Sequence, residues 1–215
     1  MATSQEPTET QAPYPSYNTL LAEQQWVRPA PNSGQLLFWA LEGPLTKAVF
    51  VMHSPSSPDG PLESYYNQDN DSWHPISRLP ITQPKVSSIT VRVYELDEWD
   101  VACREEHEDP DADQDANDGA DRQDFSVTVK PTGTGNEAFV TVHDFLEVVH
   151  PWLMSHKQDI LTAKGMLEGS DQPLEDDTEL MVNANGFESL MIERKEEWMA
   201  FKKKTLARTI NISAS

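Results

Sequence analysis

Cysteine is nearly absent, with Cys103 alone in 215 residues. An intramolecular disulfide and a multi-cysteine zinc site are therefore excluded. A reducing compartment is expected, although a lone thiol still allows pairing between chains. Basic residues are scarce as well: 16 Lys and Arg stand against 36 Asp and Glu, for a net charge of −20. Phosphate backbones are bound by concentrated Lys and Arg, so nucleic acid is not an expected partner, nor is an anionic membrane surface. Long apolar runs are missing too. The longest, residues 36–41, has six residues, against about 20 needed to span a bilayer. The opening stretch MATSQEPTETQAPYP has no apolar core and no Arg, so a secreted protein is not expected and a cytoplasmic or nuclear one is. No G-x-S-x-G and no H-E-x-x-H occurs.

The chain divides by composition. Residues 1–34 are rich in Pro, Ser, Thr and Gln and read as a disordered tail that cannot offset its ordering entropy. One patch interrupts it, with Tyr17, Leu20 and Leu21 at helical spacing followed by Trp26 and Val27. It either docks on the chain's own core or serves as a docking motif for another protein. Residues 103–124 read as a disordered acidic insertion, with ten acids and one Arg over 105–124. The remainder is one α+β domain over 35–208, and 209–215 form a disordered C-terminus. About 150 residues are then left to pack, enough for an independent core.

Periodicity sets the elements. Residues 36–41 and 47–53 are short apolar runs that suit buried strands. Residues 88–96 alternate, with Ile89, Val91 and Val93 on one side, and 125–130 alternate likewise. The two are expected to pair as an antiparallel hairpin with the acidic insertion at its tip. Thr141 and Asp144 form a capping box, with Val142, Phe145, Leu146 and Val149 as the buried stripe behind it. Pro151 is expected to kink this helix or to start a second one reaching about Lys164. Residues 180–183 and 187–192 suit a hairpin with Asn185-Gly186 at its turn. Residues 193–208 suit a helix with Trp198 and Phe201 facing inward. The fold expected is a small antiparallel sheet of four to six strands with two or three helices packed on it.

Several constellations carry chemistry on paper. Asp113, Asp115, Asn117, Asp121 and Asp124 match oxygen positions of a calcium loop, but the position that calls for Gly is Asp118. The alternative is a solvated charge run. His143, Glu147 and His150 fall on one helix face opposite the apolar stripe, which suits either a zinc site or an ordinary polar surface. Thr132-Gly133-Thr134-Gly135-Asn136 lies between a strand and a helix, the setting of a phosphate loop, yet lacks the G-K-[ST] signature. Cys103 beside ten acids is a poor thiolate. Lys202, Lys203, Lys204 and Arg208 suit either a nuclear import signal or a helix C-terminus. Ser54-Pro55 and Ser57-Pro58 have the form of proline-directed phosphorylation sites within a loop.

Three segments, L-L-F-W-A-L-E-G-P at 36–44, W-H-P-I at 73–76 and V-T-V-H-D-F-L-E-V-V at 140–149, together resemble an uncharacterised fungal domain family of unknown function. His74 splits the family's Trp and Pro, and the acidic insertion is extra. The resemblance implies a small α+β domain and a fungal source, and carries no activity. No residue is assigned a catalytic, cofactor-binding or metal-binding role. The function expected is a non-enzymatic protein-interaction module with a protein partner. The alternatives are a weak divalent-metal binder or an enzyme with a site assembled from scattered residues such as His74, His143, Asp144 and His150.

Overall fold

The computed structural model describes residues 14–107, 125–134, 138–170 and 172–213, with the backbone alone for 105–107 and 205–213. In chain order the elements are α1 (Tyr17–Ala22), β1 (Arg28–Pro29), β2 (Leu37–Trp39), α2 (Leu45–Ala48), β3 (Val49–Met52), β4 (Leu62–Ser64), β5 (Tyr66–Asn67), β6 (Ser72–Trp73) and β7 (Thr82–Gln83). Then follow β8 (Ile89–Val93), α3 (Tyr94–His107), β9 (Ser126–Val129), α4 (Val142–Ser155), α5 (Lys157–Leu167), β10 (Leu180–Asn183), β11 (Ser189–Arg194) and α6 (Lys195–Ser213). The α+β class holds, with six helices among the described residues.

The central sheet runs β10-β11-β8-β9. Its expected hairpin is present: β8 and β9 pair antiparallel, from Ile89 opposite Val129 to Arg92 opposite Ser126. Ile89, Val91 and Val93 turn into the core while Arg92 faces water. β11 joins the other side of β8 in parallel, through Ser189 and Leu190. The expected hairpin of β10 and β11 is also present, from Leu180 opposite Arg194 to Asn183 opposite Met191. Its connection covers 184–188, longer than a two-residue turn, because Phe187 leaves the strand to enter the core. A second sheet, β2-β3-β4, is antiparallel throughout and reaches β10 through the bridge of Ala40 to Met181. β1 with β7 and β5 with β6 form two small ribbons.

Several expectations need correction. The strand at 88–96 stops at Val93, and Tyr94 opens α3. Continued alternation would have carried Glu95 into the core as a strand residue. Helical geometry instead lets its carboxylate accept the N–H of Ile192 at 2.9 Å while Leu96 is buried beside it. α3 then runs on to His107, so residues 103–107 belong to a helix and not to a disordered insertion. Residues 108–124, with the calcium-loop reading, lie outside the described residues.

The tail expected over 1–34 is folded from Tyr14 onward, while residues 1–13 lie outside the described residues. Ser16 caps α1 by accepting from the Thr19 N–H at 3.0 Å, and the Tyr17 N–H donates to Ser88 O at 2.9 Å. Tyr17, Leu20 and part of Val27 dock on the chain's own core, whereas Leu21 and Trp26 are exposed. Gly34 shows how tightly the segment is laid down: a Cβ there would run into Cζ of the Phe187 ring, 2.7 Å from its Cε1 and 2.8 Å from Ala184 O. The domain therefore begins well before residue 35.

Pro151 does not break α4, which continues to Ser155. Pro151 and Glu147 both lie on the exposed side, where water can take the carbonyl that the missing N–H leaves open. The break falls at His156, whose N–H donates to Leu153 O at 3.1 Å. α6 reaches Ser213, so residues 209–213 are helical, not a disordered end. Trp198 is buried against Met52 and Met181, edge-on to Phe38 at 5.3 Å, but Phe201 is 42% exposed. The main core is aromatic at its centre, where Phe145 meets Trp39 at 6.3 Å and Phe187 at 5.1 Å between ring centroids. No helix is long and apolar enough to cross a membrane among the described residues.

Candidate functional site

The N-terminus of α4 organises the most distinctive surface. Thr141 caps it as expected, its hydroxyl oxygen accepting the Asp144 N–H at 3.1 Å. Asp144 does more than close the box. One of its oxygens accepts the N–H and hydroxyl of Thr132, at 2.9 and 2.6 Å, and the other accepts those of Thr141, at 2.9 and 2.6 Å. Burial opposes the charge, but the four donors outweigh it and hold the carboxyl below its ordinary range. Thr132, the first residue of the loop read as a possible phosphate cradle, thus spends both its donors on the chain's own carboxylate. Its residues 135–137 lie outside the described residues.

In the same turn, one residue before Asp144, His143 faces the β5–β6 ribbon. Trp73 stands 4.5 Å from the His143 ring, 4.8 Å from Tyr66 and 5.3 Å from Tyr65. Tyr65 is fully buried, its hydroxyl 3.3 Å from His143 Nδ1. Burial, with Asp144 and Glu147 nearby, raises its pKa and keeps it a phenol. His74 turns the other way. Its Nδ1 accepts the Ile76 N–H at 3.2 Å and starts the tight turn Pro75–Arg78, and its Nε2 lies 3.0 Å from Glu63. His53 approaches the other oxygen of Glu63 at 3.2 Å.

An open cleft of about 850 Å³ lies between this ribbon, the turn after it and the start of α4. Trp73, Ser77, Arg78, Phe139 and His143 contribute to its wall. A second cleft of about 730 Å³, lined by Lys47, Glu63, Tyr66 and His74 among others, lies beyond β6, and Ser72 and Trp73 border both. Two donors of the first cleft are unspent. Ser77 is 5% exposed, and among the described residues its hydroxyl makes no hydrogen bond and the exposed Arg78 guanidinium no ion pair. Phe139 already carries a cation, with Lys85 Nζ 3.9 Å from its ring centroid.

The other proposed sites are taken apart. His150 is not on the exposed face with His143 and Glu147. It is buried, its Nδ1 accepts the Trp39 indole N–H at 3.0 Å, and its Nε2–H donates to Gly43 O at 2.9 Å. Burial lowers its pKa, with the Gly43 carbonyl pulling the other way. Both nitrogens are committed, so the zinc reading fails. No group of three or more His, Cys, Asp or Glu able to hold a metal ion occurs among the described residues. His143 and Asp144 come together in the cleft with His74 behind Trp73, while His150 is apart. Cys103 is half-buried in α3.

A separate charged group is buried beneath α6. Lys202 donates to Gln35 O at 3.4 Å, and burial lowers its pKa to about 8. Asn183 donates to Glu193 at 3.1 Å. Glu95, 5% exposed, is pushed up to about 7 by burial. Its second oxygen, the Asn183 side-chain oxygen and the Trp198 N–H have no partner. This group ties α3, β10, β11 and α6 together and lines neither cleft.

No family model, curated protein or solved structure matches this chain. The geometry above therefore carries the functional argument by itself. Of its central residues, Trp73, His143 and Asp144 lie in segments singled out by pattern. Tyr65, Ser77, Arg78 and Phe139 gave no local signal, because their role depends on which segments meet.

Proposed function

We propose that the chain is a non-enzymatic protein-interaction module of the cytoplasm or nucleus that takes its partner in the Trp73 cleft. One observation carries this reading: a half-buried Trp, the Ser77 hydroxyl and an exposed guanidinium without an ion pair among the described residues converge on one open concavity. Trp and Arg are the side chains that concentrate binding energy when a partner covers them. The titratable groups nearby are engaged in building the wall: Asp144 by four donors, His74 by the turn it starts, His143 by Tyr65 and Trp73. The likeness to a fungal domain of unknown function forms part of the same proposal. What supports it is that residues 36–44, 73–76 and 140–149 meet around α4, through Trp39 on Phe145 and Trp73 on His143.

The test is affinity purification from the cells that make the protein, comparing the full chain with Trp73→Ala and Arg78→Glu. Partners should be lost from both variants, with the thermal midpoint of Arg78→Glu unchanged. A partner list that survives both substitutions rejects the cleft as the recognition surface.

A further inference from the structure

The loop between β3 and β4 reads S-P-S-S-P-D-G-P over residues 54–61. Two of its serines precede a proline, and the structure separates them. Ser54 is half-buried, and its hydroxyl oxygen accepts the Ser56 N–H at 3.4 Å. Ser57 is exposed, and its hydroxyl makes no hydrogen bond among the described residues. Its backbone is fixed between two turns, with its N–H on Ser54 O at 3.2 Å and its carbonyl accepting from Gly60 at 2.9 Å.

This loop lies against the densest cationic run of an otherwise acidic chain. Asp59 meets Lys203 Nζ of α6 at 2.6 Å. Lys204 follows, exposed and without an ion pair among the described residues. Two residues of chain span at most about 7 Å, so a phosphate on Ser57 lies within that span of the Asp59 contact with Lys203. Lys202 is not available, being buried on Gln35.

We infer that Ser57 is a phosphoacceptor for a proline-directed protein kinase, and that Lys203 and Lys204 hold the phosphate and fasten the 54–61 loop to α6. In the transfer the Ser57 oxygen bonds to the γ-phosphorus of a nucleoside triphosphate. The bond from that phosphorus to the bridging oxygen breaks, the nucleoside diphosphate leaves, and the hydroxyl proton passes to the kinase's base. The product brings about two negative charges and three acceptor oxygens. The Asp59 contact shows that this face of α6 already receives a carboxylate. A phosphate two residues away engages the second lysine as well.

The full chain is treated with a purified proline-directed kinase and ATP, sites are read by fragmentation mass spectrometry, and amide exchange is followed over residues 195–204. Phosphate is expected on Ser57 and absent from Ser57→Ala. Exchange in α6 should slow by about threefold, the scale of an exposed charge contact. That slowing should vanish when Lys203→Ala and Lys204→Ala are combined and persist when both are changed to Arg. Circular dichroism of the unmodified variants confirms that α6 is intact. No incorporation, or incorporation at Ser54 with Ser57 untouched, overturns the acceptor. Unchanged exchange, or slowing that survives loss of both lysines, overturns the docking.

Discussion

Glu95 shows what one buried carboxyl does to the molecule. Burial is the main cause of its raised pKa, opposed by the N–H groups of Glu95 and Ile192 and by Lys164. The folded chain therefore holds this proton up to about pH 7, whereas an exposed Glu releases it near 4.5. Stability tied to Glu95 is complete below about pH 4.5 and lost as pH rises through about 7, by up to roughly 3 kcal/mol. Urea midpoints should fall between about pH 5 and pH 8 in the native chain, and Glu95→Gln should flatten most of that slope. A native profile already flat across this window would contradict the buried, raised carboxyl. Asp144 has the opposite sign. Its pKa is depressed, so its contribution is present at neutral pH and lost in acid, and Asp144→Ala should cost about 2–4 kcal/mol at pH 7. Glu95 was half legible in the sequence: it falls in the inward phase of the 88–96 alternation, where a strand does not tolerate an unpaired acid. Asp144 was legible as a cap, but its hold on Thr132 was not, since nothing local connects the two.

At the scale of elements, hairpins and caps were readable because their causes are local. Alternation fixed β8 and β9, and Thr141 with Asp144 fixed the start of α4. The errors arose where tertiary contact decides. The segment from Tyr14 to Gly34 has the composition of a tail, yet its few apolar residues meet a groove prepared by β8 and by Phe187. Leu20→Ala should cost about 2–5 kcal/mol, and Gly34→Ala roughly 2–4 kcal/mol because backbone and a packed ring leave no room. Chemical denaturation tests both, and a neutral result at either position would return this segment to a tail. Trp26, in the same stretch, is 89% exposed. Replacing it with Ser should leave stability within about 0.5 kcal/mol.

For the whole molecule, charge is the dominant sequence-level fact. A net −20 on 215 residues repels itself in the folded state, the more so when screening is weak. Screening lengths shrink from about 30 Å at 0.01 M salt to about 8 Å at 0.15 M. The thermal midpoint should accordingly rise by about 3 °C over that range, and a fall would indicate that pairs such as Arg194 with Glu168 outweigh the repulsion. The cleft was the least legible feature at this scale. Its wall is drawn from residues 71–78, 132–134, 138–144 and the aromatic support of 65 and 66, and no short window of sequence holds that arrangement.

The parallel union of β8 and β11 has a temporal consequence. Ile192 supplies the N–H that Glu95 needs, 97 residues earlier in the chain, and Leu190 closes the sheet beside Val93. A ribosome releases the N-terminal half long before this partner exists. Until the last quarter of the polypeptide emerges, β8 presents a bare edge and α3 starts on an unpaired acid. Nascent chains stalled before residue 189 should therefore be the form most dependent on chaperones.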